Sequence, residues 1–97
     1  MSMTHDAIRV RLSDRSETLK SFDVESLWLF GSAARGNTVV NDLDFMVQFS
    51  QRPGLENFME LKFFLEETFG LPVDLHSRAS CPQRFLKRIE TDLKHVA

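Results

Sequence analysis

Apolar side chains recur at helical spacing near the start of the chain, where Ile8, Leu12 and Leu19 share one face. Thr4 stands where a cap is needed. The pattern predicts a helix from Thr4 to Lys20, with Asp14, Arg15, Glu17 and Lys20 on its solvated side. The stretch SFDVES ends it. Glu25 to Phe30 (ESLWLF) is a short run of strand formers stopped by Gly31, followed by a turn or helix start over SAARG and a loop over NTVVN. Asp42 to Phe49 (DLDFMVQF) alternates cleanly. Asp42, Asp44, Met46 and Gln48 point one way, and Leu43, Phe45, Val47 and Phe49 the other. A strand patterned in this way has one face buried and the other in use.

SQRPG reads as a loop. From Leu55 to Phe69 a helix is predicted, with Phe58, Leu61, Leu65 and Phe69 on its inner stripe and Gly70 as its stop. Leu71 to His76 (LPVDLH) is a further strand, with Pro72 near its beginning, where a sheet edge tolerates it. A last helix is expected from Pro82 to Val96, turning Phe85, Leu86, Ile89, Leu93 and Val96 inward. The order helix, strand, strand, helix, strand, helix implies an α/β or α+β layer fold, a small mixed sheet flanked by helices. With 97 residues and no internal repeat, one domain over residues 1–97 is expected.

Composition narrows the function classes. Apolar residues make up 42% and charged residues 27%, which fits an ordinary globular domain. Nine Phe occur without any Tyr, mostly on the periodic apolar positions, so they and Trp28 read as core volume rather than a base-stacking platform. The net charge of −2, with no long basic run, argues against a partner tracked through its nucleic-acid backbone. Cys81 is the sole cysteine, which excludes an internal disulfide, and no Cys/His spacing suits structural zinc. No stretch has the length of a membrane span or the pattern of a signal peptide, so a reducing, cytoplasmic setting is expected.

Three features carry chemistry. Gly31-Ser32 stands where a strand ends and a turn begins, a junction that offers free backbone N–H groups and close approach to a phosphate. Asp42 and Asp44, two apart on a strand, project from one face. Such like charges repel, and a hard divalent cation such as Mg²⁺ relieves the repulsion; a solvated strand end is the plain alternative. Asp74 interrupts an apolar strand, facing away from Val73 and Leu75. If that strand lies beside Asp42–Phe49, the three carboxylates meet on one surface, as two-metal phosphoryl or nucleotidyl transfer requires. The alternative is an edge Asp paired with a basic side chain. Arg35 can neutralise a phosphate or brace the turn by pairing with a sheet carboxylate. His76 shares the Asp74 face, Gly36 serves the turn, and Cys81 has no evident chemical role.

Taken together, GSAARG, NDLDFMV and PVDLH resemble the nucleotidyltransferase superfamily that includes DNA polymerase β and kanamycin nucleotidyltransferase. The resemblance runs from about Leu27 to the final helix and is strongest to the minimal nucleotidyltransferases found as antitoxins of HEPN-domain toxins. It implies the polymerase β palm-like fold, ATP as substrate and Mg²⁺ as cofactor. It also implies transfer of AMP to a hydroxyl of a HEPN-family toxin. Gly31, Ser32, Arg35 and Gly36 match the phosphate-binding turn, Asp42 and Asp44 the metal pair, and Asp74 the third, catalytic carboxylate. Asn41 occupies a position where many relatives have Ser, and can make the same local turn bond. A binding-only antitoxin, which neutralises its partner without turnover, is the other reading. A polymerase or terminal transferase fits the acidic balance poorly.

Overall fold

A computed structural model of the protein describes residues 4–36 and 40–97; residues 37–39 of the expected NTVVN loop lie outside them. The chain opens with α1 (His5–Ser13), capped as expected by Thr4, whose hydroxyl accepts the Ala7 N–H at 3.2 Å. The predicted long helix is broken. Asp14 and Arg15 form a turn, and a separate α2 (Ser16–Ser21) follows. Ser and Asp side chains compete for backbone partners at such a point, and the Ser13 hydroxyl does donate back to the Val10 carbonyl at 2.6 Å.

Strand β1 (Val24–Phe30) pairs antiparallel with β2 (Leu43–Phe49), and β2 pairs parallel with β3 (Val73–Ser77). Between β2 and β3 runs α3 (Leu55–Phe69), which ends as predicted at Gly70, left-handed with φ +68°. Leu61, Leu65 and Phe69 of α3 are buried with Ile8, Leu12, Leu27, Leu29, Leu43, Phe45 and Val47 in the main core, on one face of the sheet. Pro72 precedes β3, which is indeed an edge strand.

The C-terminal stretch departs from expectation. A 3₁₀ turn (Arg78–Ser80) leads into α4, which spans only Gln83–Ile89. The chain then turns, Asp92 N–H donating to Ile89 O at 2.8 Å, and forms β4 (Lys94–His95) antiparallel to β1. The sheet order is β3-β2-β1-β4. The reason lies in where the apolar residues go. Ile89 and Leu93 pack with Phe30 and Met46 in a second cluster on the sheet's other face, whereas Val96 belongs to the main core. A straight helix cannot deliver both. Beyond β4, Leu27 also exchanges backbone bonds with Val96 and Ala97, which extends the cover over the β1 edge.

The second cluster also corrects the reading of β2. Its Asp-bearing face is in use only at the beginning: Met46 is fully buried beneath α4 with Phe30, and Gln48 is half-buried. Trp28 is partly buried in this cluster, as core rather than a free platform.

Candidate active site

The sheet register brings the predicted carboxylates to one level. Asp44 lies opposite Phe30 on β1 and opposite Asp74 on β3, and Asp42 stands one residue before β2. Across the sheet the sequence of groups is therefore Asp74, Asp44, then Phe30 leading into Gly31. Parallel pairing with matched pleats is what puts Asp44 and Asp74 on the same face.

Gly31 closes the arrangement. Its φ is +80°, a conformation that favours glycine, and a Cβ built there would overlap the Asp44 carboxylate. Two demands converge on this residue. The turn that follows is anchored by buried Ala33 and Ala34, with Arg35 N–H donating to Gly31 O at 3.2 Å and Gly36 N–H to Ala33 O at 3.2 Å. The N–H groups of Ser32, Ala33 and Ala34 meet no acceptor among the described residues. They are free to receive an anion beside Asp44. Gly36, with φ +83° and open space around it, serves the turn alone.

The Asp44 carboxyl is pushed above its ordinary range, first by burial and then by the charges of Asp42 and Asp74; His76 and Arg35 act in the opposite direction. A half-buried carboxylate flanked by two others is a costly arrangement unless a cation joins it. The donors are hard oxygens, so they fit Mg²⁺ better than a softer metal. Among the described residues, no three His, Cys, Asp or Glu side chains are already gathered into a ligand cluster. Asp74 is turned largely to solvent, its side chain 70% exposed.

The surrounding residues complete the geometry. His76 Nε2 lies 3.8 Å from Asp74 Oδ2, and its ring packs against Phe30 (5.6 Å between centroids) and Phe85 (5.4 Å). Phe30 immediately precedes the Gly31 turn, so this aromatic contact ties the turn, the Asp74 strand and α4 together. Arg35 braces its turn through an ion pair, but its partner is Asp92 at 3.1 Å, in the turn after α4, and not a sheet carboxylate. The sequence held no signal for this pair, because Asp92 stood inside an expected helix. Burial raises the Cys81 thiol, and its Sγ sits 3.8 Å from Met46 Sδ. A groove of about 950 Å³ beside β3, which the sequence did not suggest, is lined in part by His76, Ser77 and Phe85.

Comparison with known proteins decides the family. Residues 15–96 match the model of the Polymerase beta, Nucleotidyltransferase family. The chain belongs to this nucleotidyltransferase family. A Methanocaldococcus jannaschii protein provisionally named a protein adenylyltransferase is 38% identical to this nucleotidyltransferase over 96% of its chain and 98% of the relative. Protein adenylyltransferase MntA of Thermococcus cleftensis is 32% identical, covering 84% of each chain. Among solved structures, one described provisionally as a minimal nucleotidyltransferase superposes with a TM-score of 0.76 at 25% identity, covering 94% of both chains. A chain from the complex of a tri-AMPylated Shewanella oneidensis HEPN toxin with its MNT antitoxin gives a TM-score of 0.67 at 18% identity, covering 93% of this chain and 71% of that one, which supports the fold.

Proposed function

We propose that this nucleotidyltransferase transfers AMP from MgATP to a hydroxyl of a HEPN-family partner protein and thereby acts as its antitoxin, in the cytoplasm and as a single domain. One observation carries the reading: the Gly31 turn lies directly against the Asp44 carboxylate, which itself stands opposite Asp74. A glycine turn with free N–H groups, a half-buried carboxylate and a third carboxylate thus follow one another across the sheet, which supports the reading. The relatives named as protein adenylyltransferases support the choice of AMP and of a protein acceptor.

In this reading the free N–H groups after Gly31, with the Ser32 hydroxyl, bind the β- and γ-phosphates. Arg35 adds positive charge at the same turn. Asp42, Asp44 and Asp74 would hold magnesium, which when bound supplies charge neutralisation for the triphosphate and acidifies the attacking hydroxyl. Asp74 orients that hydroxyl and assists removal of its proton. The hydroxyl oxygen bonds to the α-phosphorus, the bond to the bridging oxygen breaks, and pyrophosphate leaves on the Gly31 side. Asp44, between the two, would be the carboxylate that holds the cation neutralising the α-phosphate.

The test is incubation with α-labelled ATP, magnesium and the HEPN partner. Label should enter the partner with the wild type and fall by about three orders of magnitude or more with Asp42→Ala/Asp44→Ala, which removes the electrostatic core of the site. Equal labelling by the variant would sink the reading. The alternative is binding without turnover. It predicts that an Asp42, Asp44 and Asp74 triple Ala variant still neutralises the partner fully.

A further inference from the structure

The open edge of β3 carries a feature that the adenylyl-transfer site does not use. Leu43 N–H donates to Pro72 O at 3.0 Å, and Leu43 lies opposite Val73. In a parallel ladder this fixes the parity: the backbone groups of Asp74 and His76 turn toward β2, and those of Val73, Leu75 and Ser77 turn outward. At Val73 the outward N–H is already taken, by the Glu66 carboxylate at 3.0 Å. The outward N–H groups of Leu75 and Ser77 meet no acceptor among the described residues. Both residues line the groove of about 950 Å³. Phe58, packed against the main core, and Phe85, in the second cluster, both line it together with Pro53 and Pro82, and among the described residues no Asp or Glu does. Unpaired strand edges are normally blunted or covered. This one is left unpaired within an apolar trough.

We propose that the groove binds an extended polypeptide segment of the acceptor protein, which adds as a further strand to the free edge of β3 at Leu75 and Ser77. The proposal rests on the adenylyl-transfer reading and specifies how its acceptor is held. The occupant follows from continuity with the site. The groove reaches His76, whose imidazole is 3.8 Å from the Asp74 carboxylate. At about 3.3 Å of rise per residue, a strand paired at Leu75 and Ser77 brings its neighbouring residues to the level of Asp74 within one to three positions. The nucleotide occupies the other flank, over Gly31. In-line displacement needs the acceptor to come from the Asp74 flank, where the groove lies. Backbone pairing supplies the affinity and the apolar walls select side chains at alternate positions.

Ser77→Pro tests this without disturbing the sheet. Ser77 has φ −84° and ψ 124°, close to what proline adopts, and its N–H takes no part in the β2 ladder. His76, the residue before it, is extended, as that position requires. Ser77→Ala keeps the N–H and serves as control. With the HEPN partner as acceptor, Ser77→Pro should lower kcat/KM for labelling by about tenfold or more, with MgATP affinity within about twofold of wild type, while Ser77→Ala labels normally. In the complex of wild type with that partner, the Leu75 and Ser77 amides should become protected from hydrogen exchange. Wild-type labelling by Ser77→Pro, or a labelling-competent complex with both amides unprotected, would overturn the proposal and leave adenylyl transfer standing. Protected amides without any labelling would overturn adenylyl transfer and leave the docked strand standing; neither protection nor labelling would overturn both.

Discussion

Among single residues, the proposed site turns on Gly31 and Asp44, and each has a measurable cost to the fold. Gly31→Ala must adopt a left-handed backbone and displace the Asp44 carboxylate. It should destabilise the fold by about 1–3 kcal/mol and abolish transfer. Gly36→Ala meets the same backbone strain but open space, so it should cost about 1 kcal/mol and leave the Asp44 side chain undisturbed. Denaturant melts of the two variants check this contrast. For Asp44, burial and the neighbouring carboxylates raise the folded-state pKa above the unfolded value. The folded state then holds its proton more tightly. Stability conferred on the protonated form is present at low pH and lost as pH rises through the folded pKa. Asp44→Asn should therefore melt higher than wild type at pH 7 without magnesium, and the gap should close as pH falls below the ordinary carboxylate range. Magnesium with ATP should raise the midpoint of the wild type and not that of Asp44→Asn.

The elements show where sequence patterning succeeds and where it stops. Helix α3 was legible from end to end, because a four-residue apolar stripe and Gly70 agree with each other. Strand β2 was legible from its alternation, though not the burial of Met46 on its second face, and its pairing with the Asp74 strand stood only as a condition that the register then met. The C-terminal stretch was not. Leu93 and Val96 fit a helical stripe, yet they serve different faces of the sheet, a distinction that periodicity does not encode. Nor could the local pattern reveal that the free edge of β1 would recruit Lys94 and His95. Because Val96 is 2% exposed in the main core, Val96→Ala should cost about 2 kcal/mol in equilibrium unfolding, from two lost methyl-sized groups and the void left behind. A loss under about 0.5 kcal/mol would contradict its burial. The Arg35–Asp92 pair is exposed on the arginine side, so Asp92→Ala should change stability by no more than about 1 kcal/mol.

At the scale of the whole molecule, the two faces of the sheet divide the labour. The main core beneath α1, α2 and α3 holds the strands in register, and the smaller cluster beneath α4 backs the side that carries the candidate site. Phe30, Met46 and His76 each lie within two residues of a site group, so the packing of α4 sets the positions of the turn and the carboxylates. The motifs pointed to residues that the register brings together, because the spacing of Asp42, Asp44 and Asp74 is set by strand geometry. The groove and the unpaired β3 edge stayed hidden because they arise from elements distant in the chain. In the proposed function one site, built from the Gly31 turn, Asp44 and Asp74, adenylylates a protein partner. The decisive measurement is intact-mass spectrometry of the proposed HEPN-family partner after co-expression. One or more added AMP groups are expected with the wild type, and unmodified partner with Asp42→Asn/Asp44→Asn. Unmodified partner in both cases, despite a stable complex, would contradict the proposed function.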